Sequence, residues 1–134
     1  MGVSHFTDLE CWKLANELKN EVYEIIARPH VAQDRDLCND IRRSARSAPA
    51  NIAEGFGRYT HREFAHYLSV AHGSLMETEN HLRHLREVGH LSLEEWTRLS
   101  ALDQRAQKAT SGLRTYLLQT PDRRWRDESR RKRR

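Results

Sequence analysis

The stretch Ala48-Pro49-Ala50-Asn51-Ile52-Ala53-Glu54-Gly55-Phe56-Gly57-Arg58 decides how the chain is read. An alanine-rich, helix-like run carries a proline near its start and closes on Gly-Phe-Gly-Arg. It is either a glycine-rich ligand loop or the second half of a helix with a built-in stop. A dinucleotide fingerprint needs G-x-G-x-x-G after a strand. Here the sixth position is Thr60, and a helical pattern precedes it, so the helix reading is preferred. Pro49 then removes one helical N–H and crowds the Ala45 carbonyl, at ~3 kcal/mol if uncompensated. Ser44 and Ser47 are close enough in sequence to help satisfy the freed backbone groups. Gly55 and Gly57 are expected to stop the helix.

Outward from this stretch, apolar residues recur at helical spacing. Leu37, Ile41, Ala45, Ala48 and Ile52 precede or share the helix. After Thr60, the positions Phe64, Leu68, Ala71, Leu75, Thr78, Leu82 and Leu85 form a sustained heptad seam. The first helix is marked by Cys11, Leu14, Leu18, Val22 and Ile25. The last is marked by Trp96, Leu99, Leu102, Ala106, Ala109, Leu113 and Leu117. Thr7-x-x-Glu10, Thr60-x-x-Glu63 and Ser92-x-x-Glu95 read as capping boxes opening three of these helices. Gly89 suits the residue after a helix, where φ is positive. Short links near Pro29–Gln33, Gly57–Tyr59 and Gly89–Leu91 place successive helices side by side. The predicted fold is all-α, an antiparallel up-down-up-down four-helix bundle.

Composition agrees. The 134 residues suffice for one domain with one core. A 37% hydrophobic and 31% charged make-up with six Gly and three Pro disfavours a many-turned β-fold. No apolar run reaches membrane-spanning length, and Met1–His5 lacks the features of a signal peptide, so a cytoplasmic protein with no membrane partner is expected. Cys11 and Cys38 are too isolated for a metal motif or disulfide framework and are expected to be buried thiols. Residues 122–134 hold eight Lys/Arg against three Asp/Glu, a net +5. That leaves 15 basic and 16 acidic residues in 1–121, a net −1. The chain therefore divides into a bundle domain, 1–121, and a basic tail, 122–134, expected to be disordered.

Several pieces of the chain resemble a known family. They are Phe6-x-Asp8-Leu9-x-x-Trp12-Lys13, Ile41-Arg42-Arg43-Ser44-Ala45, Pro49-x-Asn51-Ile52-Ala53-Glu54-Gly55-x-x-Arg58, Glu63-Phe64, and Ala71-His72-Gly73-Ser74-Leu75-x-Glu77. Together they resemble, over about residues 6–118, the bacterial proteins first noticed in intervening sequences of the 23S ribosomal RNA gene. Relatives of that family include the accessory variability determinant proteins of diversity-generating retroelements. The resemblance implies a bundle that assembles into a ring, typically a homopentamer, with no established catalytic activity. It also implies, for the retroelement relatives, nucleic-acid binding in partnership with a reverse transcriptase. The tail lies outside the resemblance.

Candidate binding residues fall in two groups. In the tail, Arg123, Arg124, Trp125, Arg126, Arg130, Arg131, Lys132, Arg133 and Arg134 combine phosphate-neutralising charge with an indole able to stack on bases. A solvated charge block is the plainer alternative. On the second helix, Arg35, Arg42 and Arg46 share a face beside Arg43, with Arg58 and Arg62 around the turn. These either face RNA or DNA or pair with nearby carboxylates. Asn51, Glu54 and Arg58 are expected to be structural, setting register between helices or subunits, because no nucleophile or base accompanies them. Trp12, Tyr23, Ile26, Tyr67 and Val70 flank the seams as candidate assembly contacts, alongside Pro49 and Gly55.

Catalytic and metal readings are weaker. Glu63-x-x-His66 and Glu87-x-x-His90 match the di-iron ligand pair but do not sit inward on two helices, and Glu77, His81 and His84 only share a flank. Arg83 with His90 has the loose spacing of HEPN ribonucleases, without its context. The expectation is a non-enzymatic, nucleic-acid-binding homo-oligomer with no cofactor or metal. A purely structural or protein-interaction oligomer is the alternative, and a HEPN-type ribonuclease a more distant one.

Overall fold

The computed structural model of the chain describes residues 3–120 and Asp122. Among them every regular element is helical. A 3-10 turn, Phe6–Asp8, leads into α1 (Glu10–Ile26), short α2 (Pro29–Ala32), α3 (Arg35–Phe56), α4 (His61–Glu87) and α5 (Leu93–Gln119). Helices α1 and α4 each pack on both α3 and α5, so the four long helices enclose one core. The apolar positions picked out by spacing line it. Leu37, Ile41, Ala45, Ala48 and Ile52 of α3 are buried, as are Leu68, Ala71, Leu75, Thr78, Leu82 and Leu85 of α4. Cys11 and Cys38 are buried free thiols, and burial pushes the Cys11 thiol up to about 11.

The helix ends follow local chemistry, with one correction. Ser92 caps α5 in a reciprocal box with Glu95, and the Thr60 hydroxyl accepts from the Glu63 N–H at the start of α4. Thr7 caps nothing: α1 begins at Glu10 behind Leu9, and the box closes one turn earlier between His5 and Asp8, around the 3-10 turn. The predicted link Pro29–Gln33 contains α2, because Pro29 suits a first helical position. At the end of α4, Gly89 has φ +85°. The Gly89 N–H donates to the Arg86 carbonyl, and the His90 N–H donates to the Leu85 carbonyl at 2.9 Å. This left-handed stop satisfies carbonyls that the helix would otherwise leave open.

Glu95 links a cap to tertiary structure. Its carboxylate accepts from Arg28 at 2.5 Å and from the Ser92 N–H. Arg28 first, then the Ser92 contact, holds the Glu95 carboxyl down at about 2. Arg98 of α5 and Glu21 of α1 make a second ion pair.

Two expectations about α3 change on contact with α4. Ser44 and Ser47 do not turn to the Ala45 carbonyl. The Ser44 hydroxyl lies 2.9 Å from that of Thr78, and the Ser47 hydroxyl 2.9 Å from that of Ser74, so both serines join α3 to α4. Gly55 is not the stop either. It is buried inside α3, which ends at Phe56 with Gly57 as its cap. A Cβ at Gly55 would lie 2.8 Å from Tyr67 Cβ and 2.9 Å from Phe64 Cδ1. Only glycine lets the two helices approach this closely.

Gly55→Ala is therefore expected to destabilise the chain by about 1–3 kcal/mol through overpacking. Gly73→Ala, in α4 with nothing within 4 Å of the added carbon, is expected to stabilise by about 0.5–1 kcal/mol. Urea midpoints measure both, and equal shifts of the same sign would refute the packing explanation.

Candidate nucleic-acid interface

Helix α3 presents its arginines on the side away from the core, and the structure divides them. Arg42 Nη1 donates to Asn39 Oδ1 at 2.8 Å. Arg43 lies 3.4 Å from Glu77 of α4, a pair largely open to solvent and of small energetic weight. Arg35 and Arg46 are exposed and make no ion pair among the described residues. The predicted basic face thus holds both kinds of arginine, two engaged and two open.

The Asn51–Arg58 segment builds the corner between α3 and α4. Asn51 Nδ2 donates to the Ser47 carbonyl at 2.8 Å and lies 3.0 Å from its hydroxyl. It therefore bonds within its own helix, not across to a neighbour, and positions the serine that meets Ser74. Arg58 Nη2 donates to Glu54 Oε1 at 2.9 Å and to the Tyr67 hydroxyl, while the guanidinium sits 4.8 Å above the Tyr67 ring. Glu54 first, then Tyr67, raises the Arg58 pKa above its ordinary value. Glu54 thus sets Arg58, and Arg58 clamps α4.

Two clefts flank Arg58. One, of about 360 Å³, is lined by Arg58, Arg62, Glu63, His66 and Tyr67. The other, of about 100 Å³, is lined by Phe56, Arg58, Tyr59, Thr60, His61, Phe64 and Leu117. The end of α5 reaches this corner. His61 Nδ1 lies 3.0 Å from the Thr120 carbonyl, and the His61 N–H donates to Asp122 Oδ2 at 2.9 Å. No spacing rule foretold that contact, because it joins residues 61 positions apart. Arg62, His66 and Tyr67 each carried a sequence signal, as a basic, a metal-motif and an apolar residue, and only folding placed them in one cleft. The tail candidates Arg123, Arg124, Trp125, Arg126, Arg130, Arg131, Lys132, Arg133 and Arg134 lie outside the described residues.

The apolar residues expected to flank the seams are mostly spent inside the chain. Ile26 is a core residue, a correction to its expected place at the surface. Trp12 packs against the core edge-on to Phe6 at 5.5 Å. Tyr23 lies under Lys19, and Tyr67 under Arg58. Val70 remains 41% exposed.

The histidines are dispersed. Among the described residues no three or more His, Cys, Asp or Glu side chains are grouped to hold a metal ion. His81 lies 3.6 Å from Glu77, and His84 4.0 Å from Glu87. Arg83 sits over Trp96 of α5, whereas His90 lies 3.8 Å from Asp34 and 5.8 Å from the His30 ring. The two members of the ribonuclease-like spacing thus have separate partners.

One buried titratable group escaped the sequence reading. Asp103 of α5 is fully buried; its Oδ1 accepts from Gln107 Nε2 at 3.0 Å, and its Oδ2 has no partner among the described residues. Gln107 Nε2 also donates to Glu79 of α4 at 2.5 Å. Burial, opposed by the Gln107 bond and reinforced by Glu79, pushes the Asp103 carboxyl from 3.8 to about 7. The Gln107 and Lys108 side of the same helix borders a shallow groove of about 430 Å³ with His72, Gln104 and Ser111.

Residues 7–112 match the family model described as 23S rRNA-intervening sequence protein. Among solved structures, the chain is similar to a crystal structure of a protein of unknown function from the S23 ribosomal protein family of Bacteroides thetaiotaomicron. The TM-score is 0.71 at 19% identity, over 77% of this chain and 96% of that one. At that identity the likeness concerns the fold alone. No curated protein matches the chain.

The Asp103 carboxyl gives a pH prediction. The folded state holds its proton more tightly than the unfolded chain, so its contribution to stability falls as pH rises from about 4 to about 7. Asp103→Asn removes this penalty. Its stability relative to the parent is expected to be greater at pH 8 than at pH 5, by on the order of 3 kcal/mol. Urea midpoints at the two pH values measure it, and a pH-independent difference would contradict the protonated carboxyl.

Proposed function

The chain belongs to the 23S rRNA-intervening sequence protein family, and from that premise we propose that it is a self-assembling, nucleic-acid-binding helical bundle without catalytic function. The bundle is an antiparallel, up-down-up-down arrangement of α1, α3, α4 and α5, and copies of it close into a ring, a pentamer as the family resemblance suggests. RNA or DNA is the ligand. A reverse transcriptase is the protein partner that the same resemblance suggests, and the cytoplasm the expected location.

The observation that carries this reading is the placement of positive charge. Arg35 and Arg46 stand exposed on α3 without a carboxylate partner among the described residues. Eight further Lys/Arg lie between residues 122 and 134. Each contact with a phosphate releases condensed counterions, so several weak contacts add up steeply at low salt. A ring multiplies them again, because all copies share one scaffold and a second contact becomes intramolecular. Val70, left open on α4, is a candidate contact between copies.

Native mass spectrometry of the full chain is expected to give a closed oligomer, and Val70→Glu smaller particles at unchanged helicity. A monomeric parent would refute the ring. Fluorescence anisotropy with labelled RNA and DNA across a salt series, comparing the full chain with one ending at Asp122, tests binding while retaining the His61 contact. Binding that weakens steeply with salt is expected. Its absence at low salt would leave a protein-interaction scaffold instead.

A further inference from the structure

We infer that the larger cleft at the α3–α4 corner receives the phosphodiester backbone of a single-stranded nucleic acid, with an unpaired base stacked on Tyr59. This rests on the nucleic-acid reading above and gives it a site and a strand type.

Arg58 is pre-set for an anion. Both of its hydrogen bonds, to Glu54 and to the Tyr67 hydroxyl, leave from Nη2, and the ring below fixes the plane of the guanidinium. Nε and Nη1 make no hydrogen bond among the described residues. A fork already held in place loses little freedom when it takes up a phosphate. Arg62, one turn on, is exposed and makes no ion pair among the described residues. His66 follows, edge-on to Tyr67 with ring centroids 5.6 Å apart. All three border the same cleft of about 360 Å³. Two carboxylates are close: Glu54 is paired with Arg58, while Glu63, which lines the cleft and accepts from the Thr60 hydroxyl at 3.2 Å, keeps its charge, so the cleft's cations Arg58 and Arg62 outnumber its one unpaired carboxylate.

One further observation points to a single strand at this end, and a second adds positive charge beside it. Tyr59, next to Arg58, is 74% exposed, the most open of the large apolar side chains described. Packing gives no reason for it, whereas a π-face beside a fixed guanidinium suits a splayed base, which a duplex does not offer. Asp122 is held at the first N–H of α4, so the chain continues from this corner into residues 123–134, with eight Lys/Arg and two Asp/Glu.

The test uses the full chain, with anisotropy of a labelled single-stranded RNA, the matching single-stranded DNA and a duplex. Arg62→Ala is chosen over Arg58 because Arg62 holds no contact of the fold. It is expected to weaken single-strand binding about tenfold at 0.1 M salt and to lower the salt slope by about one. Tyr59→Ala is expected to weaken single-strand binding at least about fivefold and to leave the duplex unchanged. Arg105→Ala, at an exposed position on α5, is the control and should match the parent. If the parent binds and all three variants match it, the cleft is refuted while the nucleic-acid reading stands. If Tyr59→Ala weakens the duplex equally, the single-strand assignment is refuted. If the parent binds none of the three polymers, both readings fall.

Discussion

The close approach of α3 to α4 is the constraint on which the rest of the molecule depends. It is set by what is missing at Gly55, where any Cβ would run into Tyr67 and Phe64. Further along the same interface the side chains that meet are small: Ser47 and Ser44 on α3, and Ser74 and Thr78 on α4. Helices this close bring hydroxyls together, and Ser47 with Ser74 and Ser44 with Thr78 each meet at 2.9 Å. Buried hydroxyls without partners would cost more than they return. Here each also reaches a backbone carbonyl or the Asn51 amide, as with the 2.8 Å contact of Thr78 to the Ser74 carbonyl. The pairing sets the sliding position of one helix on the other, which apolar contact alone leaves loosely defined.

The same approach explains why Asn51, Glu54, Gly55 and Arg58 fall together in sequence. Asn51 secures Ser47, Gly55 admits Tyr67, and Glu54 orients Arg58 so that it can close over the Tyr67 ring. A helix repeats its direction every three to four residues, so Asn51, through Ser47, and Gly55 meet the α4 side, and Arg58, just past the helix end, follows them onto Tyr67. The cluster is structural in each member, yet its last residue keeps two guanidinium nitrogens unspent at the surface. A fold-stabilising clamp and an anion-binding edge can therefore be the same arginine.

The opposite end is tied by charge. Arg28 with Glu95 and Arg98 with Glu21 link the α1 end to the start of α5, and His90 stands near Asp34. These pairs are partly open to water and add modestly to stability. They orient the loops rather than hold the core. Between the two ends, Asp103 is an oddity: a carboxyl placed in the α4–α5 interface and pushed up to about 7 by its own burial. Gln107 donates to one oxygen and eases ionisation of the carboxyl, while the nearby Glu79 opposes it.

The sequence by itself determined the helices, their buried faces and most of their ends. The apolar period, the Ser92 and Thr60 caps and the Gly89 stop are local features, legible because helix geometry repeats within four residues. Local reading failed where a residue answers to a distant one. Gly55 looks like a stop until Tyr67 is placed against it. Thr7 looks like a cap until the 3-10 turn shifts the helix start. Ile26 looks like a flank until α1 turns it into the core. Arg58 with Glu54 and Arg42 with Asn39 are pairs within four residues, but only the tertiary structure decided that Arg43 meets Glu77 of α4 while Arg35, Arg46 and Arg62 stay open. It also brought Asp122 to His61 and assembled Arg58, Arg62 and His66 around one cleft. Charge pairing depends on separations of a few ångströms between helices, and no periodicity within a single helix encodes them.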